Sequence, residues 1–454
     1  MPDTIAAIAT APGIGGIGIV RVSGPEAIPL AVRVFRGRRS PREAPSHSLS
    51  LGWVVDPGTG KRIDQVLLAV MRGPRTYTGE DVVEFQCHGG SAVLGAVLQA
   101  LASGGARVAQ PGEFTRRAFL NGRIDLAQAE AVLDIVNART PQGLDVAIRQ
   151  VEGGLSRKVQ RVRDIILDAL ALVTAGTDFC DDVEGPDLQD VKACCVLARG
   201  EIEGMLSTFA TGRVMRDGVR VAILGKPNTG KSSLLNALLR KDRAIVTAKA
   251  GTTRDVIEDA ANIKGIPVVF LDTAGLRETT DEIEGLGVQR SRDAMASADV
   301  ALVVLDDSTG IKSEDRQVLE LTRDMNRVIV VNKADLGSKR VDIDSLRSET
   351  GRPVIQVSAL LGTNIAGLET AIKQAAVPRG CSSEVLVSNV RHGRALEKAG
   401  ECLERVLGAL DCGMPLDIAS LDLEAAARVL GKITGESVTQ EVLERIFSQF
   451  CVGK

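Results

Sequence analysis

The segment 225–232, GKPNTGKS, has the residue types and spacing of a phosphate-binding loop, and we call it the P-loop. It follows an apolar run, Val219–Leu224, that we predict to be a strand, and it leads into a predicted helix, Ser233–Leu239. In this context the backbone amides of the loop cradle phosphate groups. We expect the Lys231 amine to reach the outer phosphates and the Ser232 hydroxyl to bind magnesium.

Three further polar motifs each follow an apolar run that we predict to be a strand. They are DTAG at 272–275 after Pro267–Leu271, NKAD at 332–335 after Val328–Val331, and SA at 358–359 after Val354–Val357. The first motif places the Asp272 carboxylate beside a γ-phosphate. Asp335 can accept two hydrogen bonds from N1–H and the 2-amino group of guanine, which adenine cannot offer, and Ser358 suits the guanine oxygen. Four motifs in this order at strand ends predict a GTP site.

The sequence indicates the residues for GTP hydrolysis less directly than those for GTP binding. Leu276 stands where small GTPases of the Ras type carry the glutamine that orients the attacking water. An apolar side chain cannot orient water, so either the domain is a passive switch or another group acts. Thr253 could bind magnesium, and the Asn228 amide oxygen could hold a monovalent cation beside the phosphates. The acidic segment 281–284 could position the water, or it could be a solvated loop.

The composition is that of an ordinary globular protein. The chain has 454 residues, of which 44% are apolar and 25% charged, so wholesale disorder is excluded. At about 150 residues per domain, this length predicts roughly three domains. The 55 Lys and Arg nearly balance the 58 Asp and Glu. We therefore do not expect a protein that holds nucleic acid by bulk positive charge, although a local basic patch stays open.

Cysteine usage and hydropathy bear on the compartment. The eight cysteines are dispersed without any Cys-x-x-Cys spacing, which disfavours a structural zinc site or a disulfide framework. The apolar stretch Ile5–Val20 is broken by Pro12 and by glycines, so we expect no signal peptide. No apolar run reaches the roughly 20 residues of a membrane helix. The sequence predicts a cytoplasmic protein without a membrane span.

Three patterns of apolar-residue spacing follow one another along the chain. Residues 1–118 mix short β-like runs with one helical stretch, Ala92–Ser103, as in a compact α+β domain. Residues 126–210 have helical spacing, and residues 218–377 alternate β runs with helical segments as in a parallel α/β sheet. Helical spacing returns after Pro378, in Ala395–Leu410 and Leu423–Phe450. The α/β part is most simply an insertion into one helical domain, although two separate helical domains would look alike.

Nearly the whole chain resembles the TrmE/MnmE family of tRNA-modification GTPases. Besides the P-loop, the resemblance is carried by PGEFTRRAFLN at 111–121, DLAQAE at 125–130, GTTRD at 251–255 and FCVGK at 450–454. It implies a multidomain fold of α/β and α parts. The implied domains are an α+β folate-binding-like and dimerisation domain (1–118), a helical domain in two halves (119–215 and 378–454), and an inserted Ras-like P-loop G domain (216–377).

The resemblance also implies two metal ions and two catalytic residues in the G domain. The expected magnesium ligands are Ser232 and Thr253, and the expected potassium ligands are Asn228, Thr247, Lys249 and Thr252. Lys249 stands where an apolar residue is expected, so its charge could weaken cation binding. Glu284 corresponds to the acid that helps to position the hydrolytic water, and Arg254 is the second catalytic candidate. The expected GTP contacts are Asn228, Thr229, Gly230, Lys231, Ser232, Ser233, Thr247, Ala248, Lys249, Ala250, Gly251, Thr252, Thr253, Asp272, Thr273, Ala274, Gly275, Asn332, Lys333, Asp335, Ser358, Ala359 and Leu360.

A second implied site binds a tetrahydrofolate one-carbon donor, either 5,10-methylene- or 5-formyl-tetrahydrofolate. The matching positions are Arg21, Glu84, Arg123 and Lys454, although position 123 is more usually Lys. A pterin ring needs a carboxylate for its amino group, and the glutamate tail needs cations. Cys451 is a catalytic candidate near the folate, and its alternative role is that of a buried structural cysteine.

Two other patterns are weaker. The spacing of Gly13, Gly15 and Gly18 fits a dinucleotide fingerprint, but Ile17–Val22 is predicted as a strand where that motif requires a helix, so we reject it. His88 lacks further partners at metal-ligand spacing, and we predict a structural histidine.

The resemblance implies a potassium-dependent GTP hydrolase that acts as a homodimer, with the two G domains meeting during hydrolysis. It further implies a heterotetramer with an FAD-dependent partner of the MnmG/GidA type. Together they would add a carboxymethylaminomethyl group at C5 of the wobble uridine of certain tRNAs. The alternative is a GTP-operated ribosome-assembly or signalling switch without base chemistry, and folate binding by the N-terminal domain discriminates between the two.

Overall fold

The computed structural model describes residues 3–178, 188–241, 259–271, 295–337, 339–377 and 387–454. These residues group into two compact units. Unit 1 comprises Met1–Leu133 and Gly431–Lys454, and unit 2 comprises Asp134–Leu430, each over its described residues. The C-terminal tail therefore belongs with the N-terminal segment, while the domain bounds given above stay predictions.

Both units contain strands and helices. The described strands are β1 Ile5–Ile8, β2 Gly15–Ser23, β3 Phe35–Gly37, β4 Ser48–Val55, β5 Arg62–Met71, β6 Val82–Gly89, β7 Arg107–Val108, β8 Val219–Leu224, β9 Asp259–Ile263, β10 Ile266–Leu271, β11 Val300–Asp306, β12 Arg327–Asn332 and β13 Val354–Gln356. The described helices are α1 Ala27–Val34, α2 Ser91–Ser103, α3 Glu113–Leu120, α4 Leu126–Asn137, α5 Pro141–Val151, α6 Gly154–Asp178, α7 Leu188–Leu206, α8 Phe209–Asp217, α9 Lys231–Lys241, α10 Ser313–Leu321, α11 Ile343–Thr350, α12 Ile365–Ala376, α13 Val390–Asp411, α14 Leu416–Thr434 and α15 Gln440–Phe447.

Unit 1 is built on a sheet with the order β3-β4-β5-β6-β2-β1-β7. Neighbouring strands are antiparallel except β1 and β7. One face is apolar, as β5 shows: Val66, Leu68 and Val70 are buried, whereas Gln65 and Leu67, which alternate with them, are exposed. Helices α1 and α2 cover the buried face and complete the core.

The C-terminal helix of unit 1 packs on the segment that starts α3. Gly112 has φ +68, and a Cβ there would lie 2.5 Å from the carbonyl oxygen of Phe447 in α15. Only glycine allows this approach. Phe447 and Phe450 pack with Leu126 and Ala129 of α4 in a small apolar cluster. This packing carries residues 451–454 onto the N-terminal sheet.

The helical part of unit 2 joins segments from both sides of the α/β part. Helix α7 packs against α6 and also against α13, so the chain before and after the α/β part forms one bundle. Helix α5 starts with Pro141 in its first turn, and the Thr140 side chain accepts a hydrogen bond from Gly143 N. The buried Gln150 of α5 donates to Ser388, just before α13, at 3.0 Å.

The α/β part of unit 2 has the strand order β13-β12-β11-β8-β10-β9. All neighbours are parallel except β9 and β10. Every residue of β11 and β12 is buried, as expected for parallel strands covered on both faces. The carboxyl ends of the parallel strands share one edge, and ligands bind there in such sheets. The loops after β8, β12 and β13 carry three of the predicted GTP motifs.

The expected fold class is confirmed: the chain is a multidomain protein with an α/β part inserted between helical segments. The predicted strand Val219–Leu224 is β8 itself. Helix α9 begins at Lys231, two residues before the predicted start. The helical spacing of Leu423–Phe450 is confirmed, with a break inside the run, because α14 ends at Thr434 and α15 starts at Gln440. Gly435 between them has φ +101, and a Cβ there would lie 2.7 Å from the Phe119 ring.

Within the described residues, no helix is both long enough and apolar enough to cross a membrane.

Candidate functional site

The P-loop turns sharply between β8 and α9. Asn228 and Gly230 have φ +62 and +87, the left-handed region that turns successive amides inward. A Cβ at Gly225 would lie 2.5 Å from the carbonyl oxygen of Val304 in β11. Thr229 is fully buried, and its hydroxyl donates to the Lys226 carbonyl at 3.1 Å. The loop is therefore compact, and it is suited to holding phosphate.

Lys231 lies over this loop at the first residue of α9. Its Nζ donates to the carbonyl oxygens of Gly225 and Lys226, both at 2.9 Å. Burial lowers the pKa of this amine. Ser232 and Ser233 follow in the first turn of α9, where the helix dipole favours an anion.

Asn332 joins the P-loop to the predicted base-binding loops. It ends β12 and is 2% exposed. Its Nδ2 donates to the Thr229 carbonyl at 2.9 Å, and its Oδ1 accepts from Ala359 N at 3.0 Å. A Cβ on Gly230 would lie 2.4 Å from the same Nδ2, so glycine is required for this close approach. One buried amide thus holds three predicted GTP motifs together.

Asp335 and Ser358, from two different motifs, contact each other. The Ser358 hydroxyl donates to Asp335 Oδ1 at 2.6 Å and accepts from Leu361 N at 3.2 Å. The second carboxylate oxygen of Asp335 can therefore face a base while the first is held. Leu360, the neighbouring predicted contact, is 79% exposed and offers an apolar edge beside these polar groups.

The amine of Lys333 forms an ion pair with Asp306. Lys333 Nζ donates to Asp306 Oδ2 at 2.7 Å, and the Ser308 hydroxyl donates to Oδ1 at 2.6 Å. Burial raises the pKa of Asp306, but the hydrogen bonds from Lys333 and Ser308 outweigh it and keep the pKa below its ordinary value of 3.8. Asp306 therefore stays charged at neutral pH and holds the lysine in place.

The stability of this part of the chain should depend on pH through Asp306. A carboxyl with a lowered pKa in the folded state stabilises above its unfolded pKa, and that stability is lost as pH falls through the folded pKa. In Lys333→Met the buried carboxylate loses its cation, so its pKa rises and the loss should begin at higher pH. Thermal midpoints between pH 7 and 3 would measure this, with Lys339→Met, an exposed lysine, as control. Identical pH profiles for wild type and Lys333→Met would contradict the pairing.

Two acidic residues of the α/β part were not among the predicted site residues. Asp306 pairs with Lys333, and Asp315 pairs with Lys226 of the P-loop. Asp306 carries a usable signal, because it directly follows the apolar run of β11 just as Asp272 and Asn332 follow theirs. Asp315 offers no comparable signal, since an acid in the first turn of a helix is common. Several predicted residues lie outside the described part of the chain: Thr247, Ala248, Lys249, Ala250, Gly251, Thr252, Thr253, Arg254, Asp272, Thr273, Ala274, Gly275 and Glu284.

A second cluster forms where the C-terminal tail meets the sheet of unit 1. Arg21 of β2 and Glu84 of β6 are directly paired residues, and Arg21 Nε donates to Glu84 Oε1 at 2.7 Å. Arg21 Nη1 also donates to the Gly453 carbonyl at 3.2 Å, and its guanidinium lies 5.7 Å from the Phe114 ring centre. Gly453 has φ +96, and a Cβ there would lie 2.4 Å from the Ile8 carbonyl. The tail is therefore seated closely on the sheet.

Lys454 joins the same cluster. Burial lowers the pKa of its amine, the Arg21 charge lowers it further, and the Cys451 thiolate acts in the opposite direction. Cys451 itself is exposed, which excludes the alternative of a buried structural cysteine. The structure thus brings Arg21, Glu84 and Lys454 together, with the Cys451 thiol at the surface beside them.

Arg123 contacts an adjoining loop, residues 76–79. Its Nε donates to the Thr76 carbonyl at 3.1 Å. The hydroxyl of Tyr77 in this loop is 2.8 Å from that of Thr115. Burial raises the Tyr77 pKa, while the Thr115 hydrogen bond and the Arg21 charge act against this rise. Tyr77 therefore connects the Arg123 loop with the Arg21 cluster.

The two weaker patterns have simple structural explanations. Gly15–Ser23 is a strand, so Gly13, Gly15 and Gly18 do not open a helix. His88 Nδ1 is 2.7 Å from Asp64 Oδ1, and its side chain is exposed at the sheet surface. Within the part of the chain that the structure describes, no group of three His, Cys, Asp or Glu side chains is placed to hold a metal ion.

Comparisons with known proteins cover the whole chain. A family model described as "MnmE helical domain" matches residues 126–451, and one described as "GTP-binding protein TrmE N-terminus" matches residues 4–123. The "tRNA modification GTPase MnmE" of Lactobacillus delbrueckii subsp. bulgaricus is 46% identical over 100% of this chain and 98% of its own length. The protein of the same name from Listeria welshimeri is 46% identical over 100% and 99%.

Among solved structures, the G domain of the T. maritima FeoB iron transporter is 25% identical and covers 35% of this chain and 99% of its own. Its TM-score is 0.27. The family models and the full-length relatives identify the family. The chain belongs to the TrmE/MnmE family.

Proposed function

We propose that this chain is a GTP hydrolase that takes part in tRNA modification. The observation that carries the proposal is the buried Asn332, which joins the P-loop to the two loops predicted to hold guanine. Relatives that align over their full length and are named tRNA modification GTPases support the same function. The finer reaction that we propose is addition of a carboxymethylaminomethyl group at C5 of the wobble uridine.

Residues 228–233 hold the phosphates of GTP in this proposal. Asp335 and Leu360 contact the base, and Ser358 holds the Asp335 carboxylate in place. The left-handed turn at Asn228 and Gly230 directs backbone amides inward, and such a turn fits a phosphate group. Any side chain at position 230 would collide with Asn332. Magnesium would be held by Ser232 with Thr253, and it would neutralise charge on the phosphates. Lys231 contributes a partly buried cation on the same side.

Potassium would be held by Asn228, together with Thr247, Lys249 and Thr252. Asn228 fits this role in that its left-handed backbone lies at the tip of the P-loop, next to where phosphate oxygens would lie. A cation there would supply the positive charge that an arginine finger supplies in other GTPases. Glu284 orients the attacking water, Arg254 assists, and two copies of the chain meet through their G domains.

The cluster at the C-terminal tail is the proposed site for the tetrahydrofolate one-carbon donor. Glu84 accepts from the pterin amino group, while Arg21, Lys454 and Arg123 suit the carboxylates of the glutamate tail. The fit is supported by the 2.7 Å pair of Arg21 and Glu84, which already sets a carboxylate and a cation side by side. The exposed Cys451 thiol is accessible for chemistry at this site.

The proposed assembly is a homodimer that forms a heterotetramer with an FAD-dependent subunit of the MnmG/GidA type and acts on tRNA in the cytoplasm. A chain that worked only as a GTP-operated assembly or signalling switch would not need a folate site. Equilibrium binding of 5-formyl-tetrahydrofolate to wild type and to Glu84→Gln therefore separates the two functions. Binding that is lost in the variant supports modification, and absence of binding to wild type supports the switch.

GTP hydrolysis should be faster in potassium than in sodium at equal ionic strength. The cation site at Asn228 supplies a charge that the apolar Leu276 cannot replace, and such a charge is worth about 1000-fold or more where an arginine finger supplies it. We expect at least about a tenfold difference in kcat, since sodium is too small for the same ligands. Phosphate release in the two chloride salts measures it, and Asn228→Ala should abolish the difference. Equal rates for wild type would overturn the potassium site.

A further inference from the structure

A buried ion pair connects the P-loop to the helix that follows β11. Lys226, the second residue of the P-loop, donates from Nζ to Asp315 Oδ2 at 2.7 Å and to the Thr309 hydroxyl at 3.2 Å. The two charged side chains are only 10% and 1% exposed. Neither residue belongs to the predicted GTP contacts.

Asp315 is held rigidly by its own helix. It is the third residue of α10, and its Oδ2 also accepts from Lys312 N at 2.9 Å. Among the described residues its Oδ1 has no hydrogen-bond partner, so the charge of the carboxylate is balanced chiefly by Lys226. The anchor of the Lys226 side chain is therefore a fixed point on the α/β part.

The backbone of Lys226 leads directly to the phosphate-binding amine. Its carbonyl accepts from Lys231 Nζ at 2.9 Å and from the Thr229 hydroxyl at 3.1 Å. The next residue, Pro227, has a fixed φ, so a displaced Lys226 moves the loop instead of being absorbed by it. The position of Asp315 thus determines where the P-loop carbonyls hold Lys231.

Stability alone does not account for such a pair. Replacing a buried ion pair by apolar side chains of similar volume is often neutral or stabilising, whereas removing one partner leaves an uncompensated buried charge. This pair connects a helix to a phosphate loop, and it is therefore suited to setting the geometry of that loop.

We infer that Lys226 and Asp315 are positioning residues for the nucleotide, acting through the P-loop carbonyls on Lys231. The inference rests on the proposed binding of GTP. The α- and β-phosphates are common to GDP and GTP, and the P-loop amides hold these two groups. Lys231 reaches the β- and γ-phosphates, so loss of the pair should weaken both nucleotides, and GTP at least as much as GDP.

The test measures the dissociation constants of fluorescent mant-GDP and mant-GTP, well below each protein's thermal midpoint. Lys226→Met and Asp315→Asn should each raise both constants about tenfold or more. Asp315→Asn keeps an oxygen that can accept from Lys312 N, so the start of α10 is preserved. Lys226→Arg restores the charge and should bind within about threefold of wild type, which is under 1 kcal/mol.

Arg216→Met is the matched control. Arg216 forms a partly buried pair with Asp134 at 2.8 Å on the helical side of unit 2, so its loss should lower the thermal midpoint and leave nucleotide affinity unchanged. If Lys226→Met and Asp315→Asn behave like Arg216→Met, with affinities within twofold of wild type, the inference is wrong and the pair is merely structural. If wild type binds neither nucleotide, the proposed function fails and the inference fails with it.

Discussion

Replacing Asp335 by Asn should change the base preference of this protein from guanine to xanthine. In the proposed site the carboxylate accepts two hydrogen bonds from guanine, whereas an amide would place a donor against the guanine 2-amino group. Xanthine carries an oxygen at that position and can accept from the new amide. We expect GTP affinity to fall about 100-fold, because polar groups that the bound base covers and leaves unpaired cost up to about 3 kcal/mol.

The contacts of Asp335 allow this substitution to change only the atom that faces the base. Asn can keep the 2.6 Å contact from the Ser358 hydroxyl with its oxygen, so the change falls on the atom that faces the base. Ser358→Ala is the matched control, since it releases the side chain of residue 335 without altering its chemistry. It should weaken GTP by about tenfold at most and leave guanine preferred.

Competition binding with GTP and XTP measures the switch. The expected result is an inversion of the ratio of the two affinities in Asp335→Asn alone. If this variant and Ser358→Ala both retain the wild-type ratio, then Asp335 does not contact the base, and the guanine site must be assigned elsewhere.

Replacing Asn332 by Asp should remove nucleotide binding almost entirely. The substitution exchanges Nδ2, which donates to the Thr229 carbonyl, for an oxygen that is repelled by it. It also places a negative charge at a site that is 2% exposed, close to where phosphates bind. We expect affinity for GDP and GTP to fall by about 1000-fold, or about 4 kcal/mol.

The same substitution at Asn364 provides the comparison. Asn364 also donates from its amide to a backbone carbonyl, that of Gln356 at 2.8 Å, but the residue is exposed. A solvated charge costs little, so Asn364→Asp should bind nucleotide almost as wild type does. Titration calorimetry with GDP measures both variants. Similar affinities for Asn332→Asp and wild type would show that the buried amide does not organise the site.

The strands and the helix that flank the GTP motifs could be predicted because the spacing that indicates them is local. A glycine-rich loop between a strand and a helix, and polar residues directly after apolar runs, fix both the elements and the edge of the sheet on which they meet. The predicted strand ends agree with β8, β10, β12 and β13 to within one residue. Periodicity alone did not reveal the break at Gly435, where the left-handed backbone and the Phe119 ring end the helix.

The contacts between distant segments could not be predicted in this way. Lys226 and Asp315 are 89 positions apart, and Arg21 and Gly453 are 432 positions apart. No pattern in either segment indicates its partner, because each contact depends on how the sheet and the C-terminal helix pack. The exposure of Cys451 follows from the same packing, which holds the tail by Gly453 and leaves the thiol outside.

In the proposed function, the GTP site of this chain serves tRNA modification. Mass-spectrometric analysis of tRNA nucleosides from a strain that lacks the gene tests it most directly. We expect uridines with a C5 carboxymethylaminomethyl group to disappear, the wild-type chain to restore them, and Asn332→Asp to leave them absent. If the strain without the gene keeps its normal content of the modified uridine, this chain has no part in that modification.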